Sequence, residues 1–336
     1  MDSREKVMRI LDRKNIDKQA MWTGNPNDLT VPIYADEWGI ENTREAIFDY
    51  LKDDCRWFMT DACYAPDIPM WDFSFGIDKR KNLSSEGCFA GFENFDEIPK
   101  DYPWPTVNNL NFDVIYNEID KHQDKMVFTG MWCPFFHVLC DYLGMENYFC
   151  MMYENPKFVE ALTERVVDFY VEANDKFLNS LGERADVIFF GNDFGTQRDL
   201  FISPENWRRF ILPSYIRIIA VGKKYGKKIM THSCGAIQKI IPDLIDAGID
   251  ALHPIQAQAE GMCAENLAQY KMDLTFVGGI DAQSFFVNAT PQEIRDEVKR
   301  VQGILGPNLI VSPSHEEILP NVPAANILAM SEAIDR

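Results

Sequence analysis

The strongest constraint on this chain is a rhythm: short, mostly apolar runs recur with amphipathic segments between them. The runs cover residues 19–24, 55–61, 126–132, 186–193, 228–234, 250–255, 274–281 and 309–314. Each is rich in β-branched or aromatic residues, as a strand buried on both faces should be. The intervening segments at 156–181, 204–225, 237–247 and 291–305 have helical patterning. Ser203-Pro204-Glu205 and Thr290-Pro291-Gln292-Glu293 are N-cap and first-turn proline signals, and Gly226 and Gly248 fall where helices should stop.

Eight strands joined by helical crossovers close most economically into a (β/α)8 TIM barrel of the α/β class. No repeat or long linker divides the chain, so 1–336 reads as a single barrel domain, with a glycine-marked, hairpin-like insertion near 72–95. Apolar residues make up 46% of the chain, enough for a large core. The net charge of −19 argues against nucleic-acid or anionic-membrane surfaces, which need clustered cations, and suits a partner with a basic docking face. No signal-peptide core follows the first residues and no apolar run has bilayer length, so the expected location is the cytoplasm. The eight cysteines are dispersed and expected to be reduced.

The strand ends are unusually polar. They carry Asn25, Asp61, Cys133, Asn192, Asp193, His232, Cys234, His253, Gln256, Asp281, Ser314 and His315. In a barrel these converge on the C-terminal mouth, where barrel enzymes place their chemistry. In Thr231-His232-Ser233-Cys234-Gly235, residues i and i+2 of a strand share a face, so His232 and Cys234 can serve as two ligands of a catalytic zinc. The alternative is a buried strand with a hydrogen-bonded His and a small apolar Cys. His315 can be a third ligand, a general acid or a hydrogen-bond donor, and Asp193 or Glu316 can supply an oxygen.

Asn192, Asp193 and Gln197 suit recognition of a polar ligand, or an N-cap in the case of Asp193. Gly278-Gly279-Ile280-Asp281 is either an anion-holding turn or a plain strand end. His253, just after the sixth strand, reads as a hydrogen-bonding residue behind the site. Gln256 and Trp22 complete the candidate substrate-contacting set. His122 reads as solvated, Cys263 as an isolated thiol, and the Met- and aromatic-rich stretch 145–153 as packing or a pocket wall.

Several of these motifs are familiar together. Phe190-Gly191-Asn192-Asp193-Phe194-Gly195-Thr196-Gln197, Ser203-Pro204-Glu205, His232–Gly235, Gly278–Asp281 and Pro320-Asn321-Val322-Pro323-Ala324-Ala325-Asn326-Ile327 resemble the uroporphyrinogen decarboxylase superfamily. Ser3-Arg4-Glu5-Lys6-Val7 with Asn15-Ile16-Asp17 is a weaker match to its start. The resemblance implies a (β/α)8 barrel with its site at the C-terminal mouth. True decarboxylases of the superfamily carry an Arg-containing loop after the first strand, whereas here no Arg lies between Arg13 and Arg44. The chain therefore looks more like the corrinoid-dependent methyltransferase branch, whose zinc ligands include a His-x-Cys pair, matched by His232 and Cys234, and a later Cys, where this chain has His315.

That resemblance implies a zinc-assisted transfer of a methyl group between a small donor or acceptor, such as a methoxyarene in O-demethylation, and cobalamin carried by a separate corrinoid protein. Asp193, Asp281 and His315 are then the candidate catalytic residues, with Asp281 binding a polar group or assisting proton transfer. A porphyrinogen decarboxylase and a non-catalytic corrinoid-binding barrel are the competing expectations.

Overall fold

A computed structural model describes residues 1–14, 18–76 and 85–335. Among the described residues the main sheet has eight parallel strands, β1 (Ala20–Met21), β2 (Cys55–Met59), β3 (Met126–Gly130), β4 (Val187–Gly191), β5 (Lys228–His232), β6 (Ala251–Ile255), β7 (Thr275–Ile280) and β8 (Leu309–Pro313), and Asn25–Pro26 pairs separately with Glu317–Ile318. Each forms inside its expected window, and almost every strand residue is buried, because helices cover the outer face while side chains fill the inner one. The hydrogen-bonded order starts at β1, passes to β8 and descends to β2, which is a (β/α)8 barrel with one unladdered seam, between β1 and β2.

Two cores result. The inner one stacks Trp22, Phe128, Phe189, Met230 and Val277 inside the barrel, and Val7, Ile10 and Leu11 of the N-terminal helix Ser3–Leu11 plug its floor. The outer one lies between strands and helices, where Pro156–Leu181 and Leu212–Lys224 pack together. The Thr290 capping box opens Pro291–Leu305 as its motif predicts. Segment 204–225 is instead interrupted by a π-helical turn at Trp207–Ile211, and 237–247 begins as a 3-10 turn.

Two expectations touch undescribed residues. Asn15, Ile16 and Asp17 lie outside the described residues, as does the middle of the 72–95 insertion, residues 77–84. The described parts of that insertion carry no strand. They form an irregular aromatic layer in which Phe89 stacks on Tyr142 with ring centroids 4.7 Å apart. No disulfide joins any of the eight cysteines. Among the described residues no helix is long and apolar enough to cross a membrane.

Carboxylates bridge the lower part of the β1–β2 seam. Asp54 Oδ2 accepts the Met21 N–H at 3.0 Å, and Asp53 accepts the N–H groups of Thr23 and Cys55 at 2.5 and 2.8 Å. Burial pushes Asp53 up to about 6, against the opposing pull of Arg56 and the Thr23 hydrogen bonds. A carboxyl raised on folding is neutral in both states below the unfolded value, and its cost grows as pH rises through the folded value. Between pH 7 and pH 4 the wild type should therefore gain up to about 3 kcal/mol relative to Asp53→Asn, read by urea unfolding at each pH. A constant difference between the two proteins would show that Asp53 does not titrate in this window.

Candidate functional site

Three neighbouring strands place their last inward residues in one row. Register sets Gly191 of β4 beside His232 of β5, and His232 beside His253 of β6. Gly191 leaves the space that the imidazole needs, since a Cβ there would sit 2.5 Å from that of His232. His232 is 2% exposed and uses both ring nitrogens. Its Nε2 lies 3.1 Å from Asp193 Oδ1 and 3.4 Å from Cys234 Sγ, while its Nδ1 lies 3.0 Å from His253 Nδ1. Asp193 Oδ1 also accepts the Cys234 N–H at 2.9 Å, so one oxygen ties the β4 and β5 loops together.

Among the described residues two groups of ligand atoms lie within 4.8 Å of one another: Asp193, His232 and Cys234, and His232, His253 and Glu316. Bonds of about 2.0–2.3 Å to a tetrahedral ion leave neighbouring ligand atoms at separations like those around His232. Imidazole, thiolate and carboxylate are also the donors that a borderline transition-metal ion accepts. Glu316 Oε2 is buried without a hydrogen-bond partner, 3.7 Å from the Nδ1 atoms of both His232 and His315. The residues present thus fit a metal ion.

Burial works against ionisation of Asp193, but the His232 hydrogen bond and charge outweigh it, with the Cys234 N–H helping, and hold the carboxyl well below its ordinary range. Burial raises the Cys234 thiol, and Asp193 and Glu316 raise it further. Burial depresses His253 strongly, and its neighbours His232 and His315 work in the same direction.

His315 stands outside both ligand groups. Its Nδ1 accepts the Glu317 N–H at 3.0 Å, and it is the next residue, Glu316, that turns toward His232. β8 ends at Pro313, so strand alternation no longer decides which side chain faces inward. Both ends of the Asn192 amide engage backbone, accepting from Phe136 N at 2.9 Å and donating to Cys133 O at 3.1 Å. Gln256 Oε1 accepts from Gly235 N and from Gln197 Nε2.

Trp22 is 1% exposed, edge-on to Trp57, Phe128 and Phe189 and 4.9 Å from His253, so it forms the floor beneath the row. Asp281 accepts the N–H groups of Gln283, Ser284 and Phe285 and the Ser284 hydroxyl, which pins the turn after β7. At Gly278 a Cβ would meet Ile255 N at 2.6 Å, so this glycine serves strand packing. Cys263 joins neither ligand group, and Tyr148, Met151 and Met152 are buried in the outer core. His122 is partly buried against Phe58 rather than solvated.

His137 escaped the sequence reading. It lies in helix Phe135–Leu143 just after β3, and the Asn192–Phe136 hydrogen bond holds its backbone at the mouth. Burial lowers its pKa, and the nearby Asp193 carboxylate opposes the shift. The only sequence signal was a histidine five residues beyond a predicted strand, with no spacing motif.

A parallel eight-stranded barrel with its titratable side chains gathered at the C-terminal mouth defines the class, a (β/α)8 barrel. Within that class the chain belongs to the uroporphyrinogen decarboxylase (URO-D) family, which residues 114–336 match. Its fold is similar to that of a methyltransferase from Methanosarcina mazei, with a TM-score of 0.69 and 16% identity over 99% of this chain and 98% of that one. A putative vitamin-B12 independent methionine synthase from Listeria monocytogenes (TM-score 0.42, 11% identity, 94% and 98% coverage) is too distant to carry an argument. The same holds for a dihydropteroate synthase from Xanthomonas albilineans (TM-score 0.31, 17% identity, 44% and 52% coverage). No curated protein matches the sequence.

Proposed function

We propose that the chain is a cytoplasmic methyltransferase that moves a methyl group between a small substrate and the cobalt of a corrinoid carried by a separate protein. The observation that carries this reading is the meeting of Asp193 Oδ1, His232 Nε2 and Cys234 Sγ at the barrel mouth. The fold likeness to a protein described as a methyltransferase supports it. A net charge of −19 also suits a partner with a basic docking face.

Zinc suits this donor set, and when bound it supplies Lewis-acid polarisation of an ether oxygen or of a thiol. The protein's own contribution is orientation. Asp193 links His232 to the Cys234 backbone, and His253 engages the other ring nitrogen, which fixes where Nε2 faces. Trp132, 5.1 Å from the His232 ring between centroids, and Trp57, 5.5 Å from Trp132, wall the row with apolar surface and exclude water beside it. Asn192 and Gln256 hold the loops that carry Asp193, Cys234 and His137.

The test is metal content by mass spectrometry, followed by methyl transfer to cob(I)alamin from methoxylated and methylthio donors. The expected result is about one zinc per chain in the wild type, little in Cys234→Ala, and transfer only by the wild type. Equal metal in both proteins, or no uptake by either, would remove this site. Uroporphyrinogen decarboxylation by the pure protein would instead establish the decarboxylase reading, which the absence of Arg between Arg13 and Arg44 disfavours.

A further inference from the structure

A cavity of about 280 Å³ lies on the rim of the barrel, between the turn after β7 and the segment after β8. Phe286, Ile318 and Val322 are buried in its wall, while Gln283, Leu319 and Asn321 are exposed, so it opens to the outside of the molecule. No Lys or Arg lines it.

An apolar strip runs beside this cavity. Helix Thr30–Trp38 lies against residues 318–322, because the Thr30 and Tyr34 hydroxyls donate to Ile318 O and Val322 O, both at 2.8 Å. Leu29 and Ile33, one helical turn apart, and Leu319 therefore stand on adjoining segments, and they are 70%, 45% and 48% exposed. Pro32, Pro320 and Pro323 are exposed in the same two segments. Scattered apolar side chains need no explanation, but a run of them around an open apolar cavity marks a contact surface.

Three features define what covers it. The surface is braced: Asn27 N–H donates to Ile318 O at 2.9 Å, and Asn326 Nδ2 donates to Phe286 O and Ala289 O, so contact orders little that is not already ordered. It offers no free strand edge. Prolines at 26, 32, 320 and 323 lack N–H donors, and Asn25–Pro26 is already laddered with Glu317–Ile318, which favours the side chains of a helix over an added strand. It is also acidic. Residues 19–43 and 301–335 contain no Lys or Arg, whereas Asp36, Glu37, Glu41 and Glu317 belong to them, and Arg44, just past the first stretch, is paired with Asp28. Such a face repels its own copy on a second chain and attracts cations.

We propose that this rim is a docking surface for a partner protein that presents an amphipathic helix, with one large apolar side chain seated in the cavity and Lys or Arg beside it. A buried apolar anchor ringed by charge is how a small surface acquires both affinity and selectivity. The inference needs no assumption about the reaction at the His232 row. The segment that carries Leu319 also carries Glu316, so a partner seated here stands next to the mouth.

The test titrates the purified full chain into a fluorescent synthetic helix with leucine on one face and lysine on the other, read by anisotropy at physiological ionic strength. Two control peptides accompany it: the same helix with glutamate for lysine, and a scrambled leucine–lysine peptide with no apolar face. Leu319→Lys and Ile33→Lys are compared with Met272→Lys, which adds the same charge at a 72% exposed residue just before β7, at the other end of the barrel. All three positions are exposed, so the variants should fold, and melting curves check them. The expected result is that the leucine–lysine helix binds the wild type at least about tenfold more tightly than either control. Leu319→Lys and Ile33→Lys should each lose at least about tenfold, and Met272→Lys less than about twofold. Equal binding of the scrambled peptide, an equal loss in Met272→Lys, or no binding of the leucine–lysine helix would overturn the proposal. So would a wild-type dimer in sedimentation that Leu319→Lys dissolves, because a second copy of the chain would then be the occupant.

Discussion

Replacing His232 by alanine should remove bound metal and methyl transfer together, with activity falling by at least about a thousandfold. The imidazole is the only group common to both ligand clusters, and each of its nitrogens has a different set of neighbours. Losing it strips one ligand from the Asp193–Cys234 pair and leaves His253 facing a void. The fold should persist, because Asp193 still accepts the Cys234 N–H and the β5 ladders on both sides are backbone hydrogen bonds. The decisive comparison sets zinc stoichiometry beside far-UV melting. Loss of metal in a protein that still melts cooperatively is the expected outcome. Full activity in His232→Ala would end the proposed mechanism.

The second large effect is expected at a residue with no reactive group. Gly235 has φ +86°, and a Cβ there would lie 2.2 Å from Gly195 O, a backbone atom that cannot swing aside. Gly195 is pressed from the other direction, with its own Cβ position 2.6 Å from Ala236 N. The loops after β4 and β5 thus touch backbone to backbone, sealed by the Ala236 N–H donating to Thr196 O at 2.7 Å. Gly235→Ala adds a left-handed penalty of about 1–2 kcal/mol to a clash that only loop displacement relieves, so a loss of about 3 kcal/mol or more is expected. Displacing this loop moves Cys234 away from Asp193, so affinity for zinc should drop at least about tenfold in a chelator competition. Unaltered urea unfolding and unaltered zinc affinity would show that the two loops are not coupled in this way.

Much of the barrel could be read in advance because its strands are buried on both faces, and a run such as Val187-Ile-Phe-Phe-Gly191 has no other economical home. The pair His232 and Cys234 was legible for the same reason, since a period of two holds along and just beyond a strand. Legibility failed where that period stops. Past Pro313 the chain turns, and of His315 and Glu316, both candidates from the sequence, only packing decides that Glu316 approaches His232. His137 could not be found because a helix start in a loop bears no fixed relation to a strand three elements away. The roles of Asp281 and Asn192 depend on which backbone N–H groups come within reach, which is decided by tertiary packing. The aromatic layer at 85–95 lacks periodicity altogether, and its glycine at position 87 is explained only by Tyr142 O, which leaves no room for a Cβ.

The open seam of the barrel also orders events during synthesis. β1 has ladder partners only in β8, with Ala20 opposite Ile310, and Gln19 N–H donates to Asp335 O. A ribosome therefore releases the first strand nearly 300 residues before its ladder partner exists, a wait on the order of tens of seconds at ordinary elongation rates. The strands from β3 to β8 can each dock on a neighbour that has already emerged, whereas β2 waits for β3. The nascent chain's oldest segment, which carries Trp22, thus gains its ladder neighbour last, after its contacts with residues 53–57 can form.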